Sequence, residues 1–252
     1  MNFLIDVHGV LYVGKKPIPG AQEIISLLRE KSCRFRFVSN ATRNCRRTLQ
    51  ERLCSMGFDI KEEELFTAPQ AAIRYVKECG KNRCYLLSTG DVRKDFERAG
   101  VSLTAEKPDF VVVGDAGDNF SFEGMNHAFR LIMDGASLVA MEKDRYWMSE
   151  SGLSLSAGAF VDALEYSSGK QATLIGKPSK EFFSAALKEI NARPSETILI
   201  GDDIFTDVCG AQKAGMKAYL VKTGKYRKEE VENSGVFPDA VLKSIADLKD
   251  YL

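Results

Sequence analysis

Neither sign of charge is in excess, histidine and tryptophan are nearly absent, and no cysteine pair has metal-ligand spacing. Lys plus Arg and Asp plus Glu stand at 35 each. No global field therefore draws the chain to nucleic acid or an anionic membrane, and any basic site has to be local. With only two histidines, a His-rich metal centre is excluded. The six cysteines, at 33, 45, 54, 79, 84 and 209, form no C-x-x-C pair and read as reduced structural thiols. Apolar runs stop well short of the roughly 20 residues of a membrane span, and the amino terminus lacks the regions of a signal peptide. A cytoplasmic protein is expected. Also absent are G-x-x-x-x-G-K-[ST], G-x-G-x-x-G, G-x-S-x-G and H-E-x-x-H, so the corresponding nucleotide, hydrolase-elbow and zinc-protease readings fall away.

What is present is an apolar fraction of 44% over 252 residues, enough for a substantial core in one large domain or two smaller ones. Phe3-Leu4-Ile5 reads as a buried parallel strand that delivers the Asp6 carboxylate to a turn at Gly9. A loop at 15–20, a helix at 21–30, a strand at 34–38 ending in Ser39-Asn40, and a helix at 46–56 complete two βα units. Residues 58–67 show no clear period, and 68–78 is again helical. From Gly80 the rhythm restarts, with strands at 84–87, 110–113 and 137–141 and helices at 92–99 and 122–133. Residues 144–156 read as polar and irregular, followed by a helix at 158–166 and a strand at 171–175. The last third is expected to hold helices at 180–190, 206–214 and 240–248, strands at 197–200 and 218–221, and a polar loop at 224–235. Alternating β and α units imply a parallel sheet with right-handed crossovers. The fold class is α/β, with a Rossmann-like core of residues 1–79 and 174–252 and a smaller α/β domain at 80–173.

Four strand ends carry the chemistry. They are Asp6 with His8, Ser39 with Asn40, Lys177 in Ile175-Gly176-Lys177-Pro178, and Gly201-Asp202-Asp203 followed by Asp207. Taken singly each has a plain alternative: a turn or cap for Asp6 and Asp202-Asp203, a helix cap for Ser39-Asn40, a surface lysine for Lys177. Their order and shared position change this reading. Together they supply a carboxylate nucleophile, a hydroxyl and an amide for phosphate oxygens, a cation for the same oxygens, and carboxylates for a hard cation. Phosphoryl transfer needs that set, because its catalysis is positioning and electrostatics. Magnesium suits such oxygen ligands. His127 falls within a helical pattern and reads as structural.

These motifs in this order resemble those of the haloacid dehalogenase superfamily, in the class with a large α/β cap inserted between the second and third motifs, the p-nitrophenyl phosphatase-like enzymes. The stretches Asp115 to Ser121, Ser151-Gly152-Leu153, Ala163 to Tyr166, Gly176 to Ser179 and Gly201 to Ile204 are similar to the subgroup acting on phospholysine, phosphohistidine and pyrophosphate. The resemblance implies a magnesium-dependent phosphatase. Asp6 would form an aspartyl-phosphate, and Asp6, Asp202 and the His8 carbonyl would hold the metal. Ser39, Asn40 and Lys177 would bind phosphate, and Asp203 and Asp207 would hold metal-bound waters or orient Lys177. It also implies a small phosphorylated substrate, selection of that substrate by residues 144–156 of the cap, and a homodimer through the cap, with 110–113 at its edge.

Position 8 departs from the superfamily, where a second Asp is usual. Three readings of His8 stand: acid and base near neutrality, a filler whose backbone serves the metal, or the mark of a chain that has lost catalysis and keeps only a phosphate-binding role. A missing acid, worth roughly 10² to 10⁴ in rate, matters least for good leaving groups, so activated P–O–P or P–N bonds are expected over alkyl phosphates.

Overall fold

The computed structural model describes residues 1–149 and 152–252, with the backbone alone for Met148, Ser149 and Leu153. Ser151, one of the residues carrying the resemblance, lies outside the described residues.

Along the chain, β1 (Asn2–Asp6), β2 (Tyr12–Val13) and β3 (Lys16–Pro17) precede α1 (Ala21–Glu30), β4 (Arg34–Ser39) and α2 (Arg46–Ser55). Next come β5 (Leu65–Thr67), α3 (Ala68–Glu78), β6 (Arg83–Leu87), α4 (Arg93–Arg98), β7 (Ser102–Leu103) and β8 (Phe110–Val113). They are followed by α5 (Phe122–Met133), β9 (Ser137–Ala140), β10 (Tyr146–Ser149), β11 (Gly152–Leu155), α6 (Ala157–Ser168) and β12 (Thr173–Leu174). The last third holds α7 (Lys180–Glu189), β13 (Thr197–Gly201), a π-helical turn at Ile204–Cys209 running into α8 (Gly210–Lys213), β14 (Lys217–Val221), α9 (Lys228–Asn233) and β15 (Ala240–Leu242).

The chain divides into two compact units, one of residues 1–39, 47–66 and 177–252, the other of 40–46 and 67–176. The first is built on a six-stranded sheet in the order β15-β14-β13-β1-β4-β5. β1 is buried from Phe3 to Asp6 because its residues are apolar on both faces and parallel strands pair on both sides of it. In α1, Ala21, Ile24, Ile25 and Leu28 face that core, the i, i+3, i+4, i+7 stripe of an amphipathic helix. The second unit has its own five-stranded parallel sheet, β12-β9-β8-β6-β7, and its own apolar cluster around Val111, Val113, Leu138, Val161 and Leu164. Among the described residues no helix is long and apolar enough to cross a membrane.

Several local expectations are corrected. Residues 240–248 are not a helix. β15 pairs with β14, and Ile245–Tyr251 is a 3-10 helix that buries Ile245 and Leu248, so two short apolar elements add up to a spurious 3.6-residue period. The polar loop contains α9, which buries no residue and so has no apolar stripe to read. Within the stretch 144–156 expected to be irregular, Tyr146 to Ser149 pairs antiparallel with Gly152 to Leu155. The loop at 15–20 holds β3, which pairs with β2 as a two-residue hairpin. Phe110–Val113 is the middle strand of its sheet with all four residues buried, which leaves it no free edge.

Candidate active site

β1 lies between β13 and β4, so the next strand of this sheet along the chain sits on one side of it and a strand from the last third of the chain on the other. Such a reversal opens a crevice at the carboxyl ends of the strands. Asp6 ends β1. Ile5 pairs with Ile200, so Asp202 emerges beside Asp6, just past the end of β13. On the other side Asp6 pairs with Val38, which sets Ser39 at the same sheet end. Asp6 and Ser39 are each 5% exposed and Asp202 and Lys177 3%.

Lys177 joins these carboxylates. Its Nζ donates to Asp6 Oδ1 at 2.5 Å and to Asp207 Oδ1 at 2.6 Å. Asp207 sits in the π-helical turn, which Asp203 caps by accepting the Phe205 and Thr206 amides at 2.9 and 3.0 Å. The Asp203 amide in turn donates to Asp207 Oδ2 at 3.2 Å. Both Asp207 oxygens are thus engaged, Oδ1 by Lys177 and Oδ2 by the Asp203 amide.

Oxygens of Asp6, Asp202 and Asp207 lie within 4.8 Å of one another. Three buried carboxylates against one buried ammonium leave negative charge in a medium that penalises it. Burial raises the Asp6 carboxyl, with Lys177 pulling it back. Burial and then the Asp6 and Asp207 charges push Asp202 well up, and burial, partly offset by Lys177, lifts Asp207 to about 7. On Lys177, burial opposes the charge, but Asp207 and Asp6 outweigh it and hold the ammonium above its usual range. An all-oxygen, over-anionic cluster fits a hard divalent cation.

The backbone closes around Asp202. A Cβ at Gly9 (φ +89) or at Gly224 (φ +59) would come within 1.9 Å of Asp202 Oδ2, so only glycine allows both loops to approach. The Lys225 amide donates to Asp202 Oδ2 at 2.6 Å, and Thr223 Oγ1 donates to the Gly9 carbonyl. Lys225 Nζ lies 3.3 Å from Asp203. Burial works against the Asp203 charge, but Lys225 and the two capping amides hold its pKa below the usual carboxylate range. Sequence reasoning missed Lys225; the signal available was Thr223-Gly224-Lys225, separated by one residue from the end of an apolar strand.

His8 keeps a solvent-exposed side chain with its ring edge-on to Tyr12 at 5.4 Å. Partial burial of the ring, together with Lys225, Arg52 and Lys177, lowers its pKa below 6.5. Asn40 opens the second unit's segment 40–46, where its Oδ1 packs so close to Gly176 that a Cβ there would approach to 2.8 Å. In the same unit Arg43 grips Asp115 with two hydrogen bonds of 2.7 and 2.9 Å.

Known proteins share this chain's sequence and fold over its whole length. A family model described as haloacid dehalogenase-like hydrolase matches residues 3–102, and a second, HAD-hydrolase-like model matches residues 174–248. The chain is 41% identical over 249 residues to haloacid dehalogenase-like hydrolase domain-containing protein 2 of Bos taurus, covering 99% of this chain and 94% of that protein. It is 38% identical over 255 residues to phospholysine phosphohistidine inorganic pyrophosphate phosphatase of Homo sapiens, covering 99% and 93%. The p-nitrophenyl phosphatase from Archaeoglobus fulgidus superposes with a TM-score of 0.93 at 28% identity, over 100% of this chain and 98% of that one. With Asp6, Lys177 and Asp202 meeting at one sheet end and full-length likeness on both sides of the insertion, the chain belongs to the haloacid dehalogenase-like hydrolase family.

Proposed function

We propose that the chain is a magnesium-dependent phosphatase working through an aspartyl-phosphate on Asp6, with a preference for activated phosphates. The observation that carries this reading is the buried Asp6–Lys177–Asp207 relay beside Asp202. An Asp6 oxygen attacks phosphorus, the P–O bond to Asp6 forms, and the bond to the leaving group breaks. Water then adds to phosphorus and frees the Asp6 carboxylate as phosphate departs. Lys177 balances the charge of Asp6 and of the incoming phosphate, while Asp207 fixes the ammonium. Ser39 and Asn40 donate to phosphate oxygens. Asp6, Asp202 and the His8 carbonyl would hold magnesium, which supplies positive charge against the phosphoryl oxygens.

His8 supports the substrate preference. Partial burial, with the surrounding cations adding to it, lowers the imidazole's pKa, which disfavours the protonated form that a proton donor to the leaving group needs. Pyrophosphate and phosphoramidates need less protonation at departure than a sugar phosphate expelling an alkoxide. The second unit serves as the substrate-selecting cap, and the exposed Phe122, Met133 and Tyr166 on α5 and α6 are candidates for pairing two chains, which sedimentation would reveal. A cytoplasmic setting accords with six unbridged cysteines.

The test is phosphate release from p-nitrophenyl phosphate, pyrophosphate, phosphoramidate and glucose 6-phosphate with and without magnesium, with Asp6→Asn as the blank. Magnesium-dependent release that ranks glucose 6-phosphate last is expected. No release above the blank would instead favour a phosphate-binding protein without turnover. His8→Asp is expected to raise glucose 6-phosphate turnover.

A further inference from the structure

The solvent side of the first unit's crevice carries two cations, Lys225, which pairs with Asp203, and Arg52. Arg52, exposed on α2, holds its guanidinium 5.1 Å from the centre of the Tyr12 ring, and its Nη2 donates to the Gly14 carbonyl at 3.0 Å. Among the described residues no carboxylate pairs with it. An arginine fixed by a ring and a carbonyl, yet lacking an ion-pair partner, has its charge and remaining N–H donors preorganised for an anion. Because Tyr12 also packs edge-on against His8, guanidinium, phenol and imidazole form a continuous stack that begins two residues from Asp6. Lys225 is anchored beside Asp202 by its own amide, with 41% of its side chain exposed. Beyond partial burial, the charges acting on His8 are all positive: Lys225, Arg52 and Lys177.

Asp6 is buried, so a phosphoryl group delivered to it leaves the rest of the substrate on the solvent side, where the side chains of His8 and Arg52 are exposed on either side of the buried Tyr12. We propose that Arg52, assisted by Lys225, forms an anion subsite for the leaving group and selects substrates whose leaving group carries negative charge, as the second phosphate of pyrophosphate does. This inference rests on the phosphatase reading above. Catalysis by Asp6 does not require the subsite. What it changes is which substrates bind.

Binding is measured by calorimetry in the Asp6→Asn protein with magnesium, so that nothing turns over, using pyrophosphate and phenyl phosphate as probes. Adding Arg52→Gln is expected to weaken pyrophosphate at least about tenfold more than phenyl phosphate, the size of a lost charge-assisted contact. Arg52→Lys is expected to keep most of that difference. In the parent, rising ionic strength should narrow the preference for pyrophosphate, and in Arg52→Gln it should have less preference left to narrow. Equal weakening of both ligands, or no change in either, overturns the subsite. If Arg52→Gln does not fold, as read from its circular dichroism melt, Lys225→Gln carries the same comparison. Failure of the phosphatase reading shows separately, as absence of magnesium-dependent turnover by the wild type, and leaves the binding comparison intact.

Discussion

Lys177 balances two carboxylates that cannot otherwise stay charged in the sheet end where they are buried. Removing one partner of a buried ion pair typically costs about 3–5 kcal/mol, so Lys177→Ala is expected to lose roughly that much in urea unfolding at neutral pH. The deficit should shrink as pH falls, because protonation of Asp6 and Asp207 relieves the uncompensated charge. A similar deficit at pH 5 and pH 8 would contradict this. Glu142 is the corresponding case in the second unit. It is 4% exposed and accepts the Ser156 hydroxyl and the Ala157 and Asp144 amides at 2.9, 3.2 and 2.8 Å. Burial, with the Asp144 charge adding to it, still lifts its pKa from 4.5 to about 7. Between those values the folded protein holds a proton that the unfolded chain has released. The stability this contributes is therefore full below pH 4.5 and is lost as pH rises through 7. Its ceiling is about 3 kcal/mol, and Glu142→Gln is expected to flatten that part of the stability–pH curve.

At the scale of elements, loop geometry decides whether the strand ends can meet. Gly9 and Gly14 both have positive φ, +89 and +60, but a Cβ at Gly9 strikes Asp202 whereas one at Gly14 meets nothing within 4 Å. Gly14→Ala should therefore cost only the backbone term, about 1 kcal/mol. Gly9→Ala should cost at least about 2 kcal/mol and displace Asp202, so thermal melts should separate the two variants and activity should fall only in the first site. Long amphipathic elements were legible because their apolar stripes repeat: α1 and α5 span the residues their periodicity indicates. Short or wholly polar elements were not. β15 and the 3-10 helix after it mimic a helix, α9 has no buried face, and β10–β11 offers too few residues to establish a period of two.

At the scale of the molecule, two separate sheets underlie the two units, and the acidic cluster belongs wholly to the first. A cation that binds this cluster only when the unit is folded stabilises the protein by mass action, by about 2.7 kcal/mol at a hundred times its Kd. Magnesium is therefore expected to raise the melting temperature of the wild type and to do so much less for Asp202→Asn. An equal rise in both would place the ion elsewhere. Calcium in place of magnesium offers a check on the donor set, since both are hard cations but calcium demands more ligands.

Residue types and order alone determined the α/β class, the strand that carries Asp6 and the set of groups at four strand ends, because buried parallel strands and amphipathic helices write their periods into the chain. The pairing of Asp207 with Lys177 was offered only by the family resemblance, as one of two roles, since 30 residues separate them and only the sheet order brings them within hydrogen-bond reach. The charges of the cluster, which depend on burial, were not written in the chain. Tertiary structure likewise decided the surroundings of His8. The sequence placed it beside Asp6, while the partial burial that lowers its pKa, and the Lys225 and Arg52 charges that add to it, come from loops and helices far along the chain, and an electrostatic environment exists only after the chain has folded.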